Sequence, residues 1–425
     1  MCPQTSAAWQ PLLTESASLR SIECAEQIAS DLRGVARDWL RGGPASAASV
    51  ADAALFFAYY SQHRRDPAIL DFAVQLSDHA VSECSRSIDP SVFAHLHRGV
   101  LKVAWVRAHL ACRFDVAAPP DVFAELDEAL CDTISQEGPW TGHFDLSAGL
   151  AALAVYFVER FPAPMAVRAL EIIVRRLDEI KHESAAGIAW FTEPRHQSRL
   201  DDQLSPAGHY AIGVAHGVSG VIPVLRQIAR MGIAARVADA LASGATEWVL
   251  AQQRRGYPDR FTRTTAAGPH PGRYYGWCWG DLGIAAALMS AASDRGRTAL
   301  IGDIADVAVN AALNPPERAR DACLCHGASG NAHLFSRLYQ STARAELRTA
   351  AERWYAHVED HRQIAIGIGI GGFAVRHKNV DGIPELQADP SFSTGSSGIG
   401  LALLAATSGA DPGWDRLLGL FYGMP

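Results

Sequence analysis

The sequence has no surplus of basic charge: 38 Lys and Arg stand against 45 Asp and Glu, a formal net charge of −7. A phosphate backbone needs a basic surface, so nucleic acid is excluded as a partner. Long apolar runs are also missing. None approaches the roughly 20 residues that span a bilayer, because charges or glycines break each one. The opening residues MCPQTSAAWQPLLTES carry no basic segment followed by an apolar core, so no secretory signal is expected and a cytoplasmic protein is. Eight cysteines in 425 residues follow no regular framework. In such a setting they are expected as thiols, buried apolar groups or metal ligands, not as a disulfide network. On that basis Cys2, Cys24, Cys84, Cys112 and Cys131 are read as core or surface thiols. Few stretches alternate apolar and polar residues over a strand's length, which excludes a large sheet.

What remains is helix. Apolar residues recur near a 3.6-residue period between 91 and 111, and similar stretches occupy 51–62, 164–181, 235–252, 297–313 and 346–361. An all-α class is expected, folded as one domain over 1–425. Five segments then repeat one pattern, a small-residue turn and a glycine followed by an apolar helix. They are DLSAGLAALAVYF, HGVSGVIPVL, WGDLGIAAALM, HGASGNAHLF and TGSSGIGLALLAA, aligned here on Gly149, Gly220, Gly283, Gly330 and Gly398. Gly99 marks a degenerate sixth segment, and residues 50–62 a seventh that has lost its glycine. Spacings of roughly 50 to 70 residues suit one helical hairpin per repeat. The last repeat is as apolar as the middle ones, where an open array would carry a polar cap. An α/α toroid of about seven hairpins is therefore expected, with an inner ring of glycine-started helices. Two polar stretches, 182–208 and 254–276, interrupt the pattern and are expected to wall a pocket at the helix N-termini.

In this register Cys278 and Cys325 each stand five residues before their glycine. His326 stands four before its own, as do Asp145 and His216. Equivalent positions of a ring converge on one mouth. Two thiols and one imidazole leave a fourth position open on tetrahedral zinc, the pattern of a catalytic rather than a structural site, and thiolate ligands favour Zn²⁺ over hard cations. The competing reading keeps the cysteines as buried thiols and His326 as a helix cap. Cys323, in Cys-Leu-Cys-His, is two residues out of register and is read as packing. Beside such a metal, His216 and Asp145 form an acid–base pair. Arg273 can stabilise a developing oxyanion.

The motifs GWCWGDLG at Cys278, CHGASG at Cys325 and His326, AHGVSG at His216, DLSAG at Asp145 and SFSTGSSGIGLALL from Ser391 resemble those of the lanthionine synthetase C family, the cyclases of class I lanthipeptide biosynthesis. The resemblance runs from about residue 140 to the end. It implies an α/α toroid with zinc on Cys278, Cys325 and His326, and with His216, Asp145 and an arginine nearby. Two departures stand out. Trp279 replaces a family tyrosine, and the family arginine's place, four residues before the first ligand cysteine, is held by Tyr274. Arg273 lies one residue further away.

The implied reaction adds a peptide cysteine thiolate to a dehydroalanine or dehydrobutyrine of the same precursor, closing a thioether ring. The implied partners are a dehydrated precursor peptide with its leader, a dehydratase and an export transporter, which would place the protein beside a membrane-bound complex. Two other functions share these residues: a toroid that adds glutathione or another small thiol to dehydroamino acids, and a zinc-containing scaffold without catalysis. The carboxylate arrangements of toroidal glycosidases are not found.

Overall fold

The computed structural model describes residues 9–86, 95–116, 123–197, 205–254, 256–257, 259–265, 274–292, 298–316, 319, 321–363, 367–378 and 384–422. Among them are fourteen α-helices: α1 (Glu15–Leu40), α2 (Ala47–Arg64), α3 (Pro67–Arg86), α4 (Val100–Arg113), α5 (Ala124–Ser135), α6 (Leu150–Arg160), α7 (Pro164–Glu179), α8 (Val218–Arg230), α9 (Ala235–Ala251), α10 (Asp281–Ala291), α11 (Thr298–Leu313), α12 (Ala328–Thr342), α13 (Ala345–Asp360) and α14 (Ser396–Thr407). Two antiparallel hairpins, His182–Ser184 with Gly187–Ala189 and Val375–Lys378 with Pro384–Gln387, are the only described sheets. No described helix is long and apolar enough to cross a membrane.

The helices sort into two rings. In α6 every residue from Leu150 to Glu159 is buried, and α10 is buried along its whole length. Such helices are apolar all round because they have neighbours on all sides. Outer helices bury one stripe: in α7, started by Pro164 at its first turn, Ala166, Ala169, Leu170, Ile173, Val174 and Leu177 face inward. Along the inner ring α2 packs on α4, α4 on α6, α6 on α8, α8 on α10, α10 on α12 and α12 on α14, and α14 returns to α2. The seven-hairpin toroid is closed.

One turn starts six of the seven inner helices. Gly99, Gly149, Gly217, Gly280, Gly327 and Gly395 are the N-caps. In four of these turns the first helical N–H reaches back to the carbonyl six residues before the cap: Leu150 to His143, Val218 to Ala211, Ala328 to Asp321 and Ser396 to Asp389, at 2.8–3.1 Å. A second glycine three residues into the helix lies against a carbonyl of the same turn. A Cβ on Gly330 would stand 1.8 Å from the Leu324 oxygen. This geometry corrects the sequence alignment. Gly149 is a cap, equivalent to Gly217 and not to Gly220, and Ala152 takes the second-glycine place. Asp145 is thus in register with Gly213, three residues away from the position of His216. The error arose because one glycine in DLSAGLAA had to match two in AHGVSG.

Successive turns are stitched into a belt. Leu96 donates its N–H to the Ser147 carbonyl, Ser147 to Ala215, Ala215 to Cys278, Cys278 to Cys325 and Cys325 to Ser393, at 2.9–3.4 Å. α2 has no such turn, since its cap is Ser46 accepting from Ser49 N–H. There the buried Asp52 carboxylate accepts the Phe392 N–H at 2.9 Å and pairs with Lys102 Nζ at 2.6 Å. Burial pushes the Asp52 carboxyl up and the Lys102 amine down, while each partner opposes the shift in the other. The opposite end of the ring is sealed by the 3₁₀ segment Gly413–Leu418. Its Asp415 accepts from His333 and Arg337 at 2.8 and 2.7 Å, and Arg416 pairs with Glu159, which also binds His109 at 2.8 Å.

Cys112, at the exposed end of α4, is disulfide-bonded, against its expected thiol state. One pair in a chain with few cysteines leaves no spacing signal. Cys24, Cys84, Cys131, Cys278, Cys323 and Cys325 are free.

Gly330→Ala is expected to cost about 1–3 kcal/mol or more, because backbone has to move. Gly302→Ala, where a Cβ meets nothing within 4 Å, is expected to add about 0.5–1 kcal/mol. Urea unfolding of the two variants checks both; equal effects would refute the role given to the second glycine.

Candidate metal centre

The belt places Cys278 and Cys325 side by side, each two residues before its cap glycine. His326 follows, one residue before Gly327. One donor atom from each lies within 4.8 Å of the others. On tetrahedral zinc with bonds of about 2.0–2.3 Å, such donors stand roughly 3.5–3.8 Å apart, so the trio needs only a small contraction to hold an ion. Cys323 does not join this trio. It is buried, and it forms a second group with Asp321 and His326.

The electrostatics of the chain prepare the site for a cation. A hydrogen bond with Cys325, above all, holds Cys278 well below the usual thiol range, and contacts with His326 and the Tyr274 phenol, 3.4 Å from its Sγ, add to this. The same shared hydrogen bond raises Cys325. Hydrogen bonds to Asp321 first, then to Cys278 and Cys323, push His326 up to about 12. Burial alone would raise Asp321, yet the His326 and Cys323 contacts bring it down to about 2. Negative charge therefore gathers around the imidazole. Two soft thiols and one imidazole fit a zinc ion with one position left open.

The thiols open onto a cavity of about 470 Å³ that is also lined by Asp145, His216, Arg263 and Trp279. Thr192, His196 and Gln197 from the 182–208 stretch, with His209 just after it, form one wall, and Arg263 and Thr264 from the 254–276 stretch another. The first of these is a hairpin followed by a 3₁₀ turn, anchored by buried Trp190, whose indole donates to Leu177 O at 2.9 Å. Despite its different register, Asp145 meets His216, with Oδ2 2.9 Å from Nδ1. Asp145 Oδ1 accepts from Ser147 and Ala148 N–H, which fixes the carboxylate. His216 keeps 64% of its side chain accessible, and that surface faces the cavity. Burial opposes the charged form of both groups. Their mutual bond prevails, raising His216 and lowering Asp145. Nδ1 is committed to Asp145, so Nε2 is the nitrogen offered to the cavity.

Arg273 lies outside the described residues. Arg263 is the only described guanidinium or ammonium group lining the cavity, and sequence reasoning overlooked it because it sits in no motif. His143 was missed too: its Nδ1 is 3.9 Å from Asp145 Oδ2 and its ring stacks on His196 at 4.1 Å. Tyr274 stacks on Trp279 at 3.8 Å, so the two departures from the family motif form one contact.

Asp145→Asn is expected to lower the His216 pKa, since the carboxylate favours the protonated ring. The stability this pair adds is present between the ordinary carboxylate and histidine values, and is lost as pH rises through the raised His216 value or falls through the lowered Asp145 value. NMR titration of His216 and the pH dependence of Tm check this. An unmoved titration would count against the pairing.

The family model for lanthionine synthetase C-like proteins matches residues 50–418, reaching further toward the N-terminus than the motifs do. Among solved structures, nisin cyclase superposes with a TM-score of 0.71 over 93% of this chain and 96% of its own, at 14% identity. No curated protein matches the sequence. With the match spanning most of the chain and the closed toroid beneath it, the protein belongs to the lanthionine synthetase C-like family.

Proposed function

We propose that the protein is a zinc-dependent lanthipeptide cyclase that forms lanthionine or methyllanthionine rings in a dehydrated, leader-bearing precursor peptide. The observation that carries this reading is the shared cavity. The Cys278, Cys325 and His326 donors and the Asp145–His216 pair open onto the same space. Zinc bound there supplies a Lewis acid that favours thiolate over thiol at neutral pH.

In this reading the peptide thiol releases its proton to water, and its sulfur bonds to the β-carbon of the dehydroamino acid. The carbon–carbon double bond becomes an enolate, and Cα must then gain a proton. His216 delivers it from Nε2, with Asp145 holding Nδ1 and stabilising the imidazolium. Arg263 offers positive charge to the enolate oxygen. No proton or electron is gained overall, so no further co-reactant is required. The dehydroamino acids come from a separate dehydratase, and an export transporter completes the set of partners in a cytoplasmic, membrane-adjacent assembly.

Metal analysis of the wild type is expected to find one zinc per chain, lost in Cys325→Ala. His216→Ala is expected to keep zinc while ring formation falls about 10²–10⁴-fold, the usual contribution of a positioned acid or base. Mass spectrometry and thiol alkylation of a dehydrated precursor measure the rings. Wild type without zinc, or His216→Ala with full activity, would overturn the reading. Glutathione adducts in place of rings would redirect it to an intermolecular thiol.

A further inference from the structure

Three of the six glycine-capped turns share a feature beyond the backbone. In each of these the residue six places before the cap touches the residue one place before it. Tyr274 stacks on Trp279, Asp389 Oδ2 accepts from Thr394 Oγ1 at 2.7 Å, and Asp321 Oδ2 lies 3.4 Å from His326 Nε2. The two aspartates are used alike. Each gives Oδ1 to a backbone N–H two residues on, Cys323 at 2.9 Å and Ser391 at 2.8 Å, and each turns Oδ2 to the side chain before the cap glycine. In the last repeat that side chain is a threonine and the contact only tightens the turn. In the Gly327 repeat it is His326.

We propose that Asp321 is a positioning residue for the metal centre. It holds Nε2–H of His326, so that the other ring nitrogen, Nδ1, is presented to Cys278 and Cys325. The inference rests on the zinc reading above. A ligating histidine whose second nitrogen is fixed by a carboxylate is held in one tautomer and one orientation, and here the carboxylate is itself fixed by the turn. His216 has no such partner in its own turn, where the equivalent residue is Ala211. It takes Asp145 from the preceding repeat instead. The two histidines of the mouth are therefore anchored in different ways, one within its turn and one across the belt.

Asp321→Asn separates the two duties, since the amide oxygen still accepts the Cys323 N–H while the carboxylate is gone. Zinc affinity measured by chelator competition is expected to fall about 10–100-fold, and the visible spectrum of the Co²⁺-loaded protein to change. Asp389→Asn, the same change in a turn without a metal ligand, is expected to leave zinc affinity and spectrum at wild-type values. Ring ¹⁵N shifts of zinc-loaded wild type are expected to show His326 protonated at Nε2, a readout that does not depend on the variant folding. Wild-type affinity in Asp321→Asn, or His326 protonated at Nδ1, overturns the proposal while leaving the zinc centre intact. Two zinc ions per wild-type chain and one in the variant also overturn it, because Asp321 would then be a ligand with Cys323. A wild type that binds no zinc removes the metal reading, and this inference with it.

Discussion

Everything at the mouth of this toroid hangs on a belt of backbone hydrogen bonds, Leu96 to Ser147 to Ala215 to Cys278 to Cys325 to Ser393. Each link joins one helix-start turn to the next. Side chains on the belt owe their position to main chain and not to loop packing. Cys278 and Cys325 are neighbours on it, so the separation of their thiols follows from the same bond that joins their repeats. A site carried by rigid elements keeps its geometry better than one carried by loops, and here the rigid element is the joint between helices.

The electrostatic consequences follow from that placement. Helix N-termini carry partial positive charge and favour anions, and at this mouth the anionic forms of Cys278, Asp321 and Asp145 are all favoured. Their counter-charges are two imidazoles, His326 and His216. The Asp–His couples resemble each other chemically, but one borders the thiols and the other reaches into open cavity. His326 is half-buried and His216 largely exposed, and in the proposed function the first serves to bind a cation and the second to move a proton.

Much of this was legible in the sequence because the repeat is a physical unit. Glycine recurs where a Cβ would strike a carbonyl, as at Gly330 against Leu324 and Gly398 against Phe392, and so the turns announce themselves. The same register favoured Cys325 over Cys323, and the fold groups Cys325 with Cys278 and His326, and Cys323 with Asp321 and His326. The helices at 164–179, 235–251 and 345–360 were readable from their one-sided apolar stripes. Less was legible where contacts cross repeats. Asp145 and His216 were brought together by an alignment that the fold corrects, and they meet across repeats from different positions of the turn. Arg263, His143 and Asp321 lie outside the glycine motifs and join the mouth only through the fold. The Asp52–Lys102 pair was hidden for a related reason: two charged residues inside apolar helices give no sign of each other until α2 packs on α4.

That pair has a consequence for how the molecule comes into being. The belt is continuous along the chain as far as Ser393, but its last link joins Phe392 to Asp52, 340 residues apart in sequence. Until that contact forms, the hairpins make an arc with two raw apolar edges, α2 at one end and the newest helix at the other. Joining ends so distant is slow because the loop entropy is lost before the contact is made. A growing chain therefore exposes both edges until residues 389–418 are available, and open arcs of two chains could lock edge to edge in the same way. Asp52, already paired with Lys102 on the neighbouring α4, gains its Phe392 N–H donor only when the ends meet, so the closing contact completes the hydrogen bonding of a buried charge.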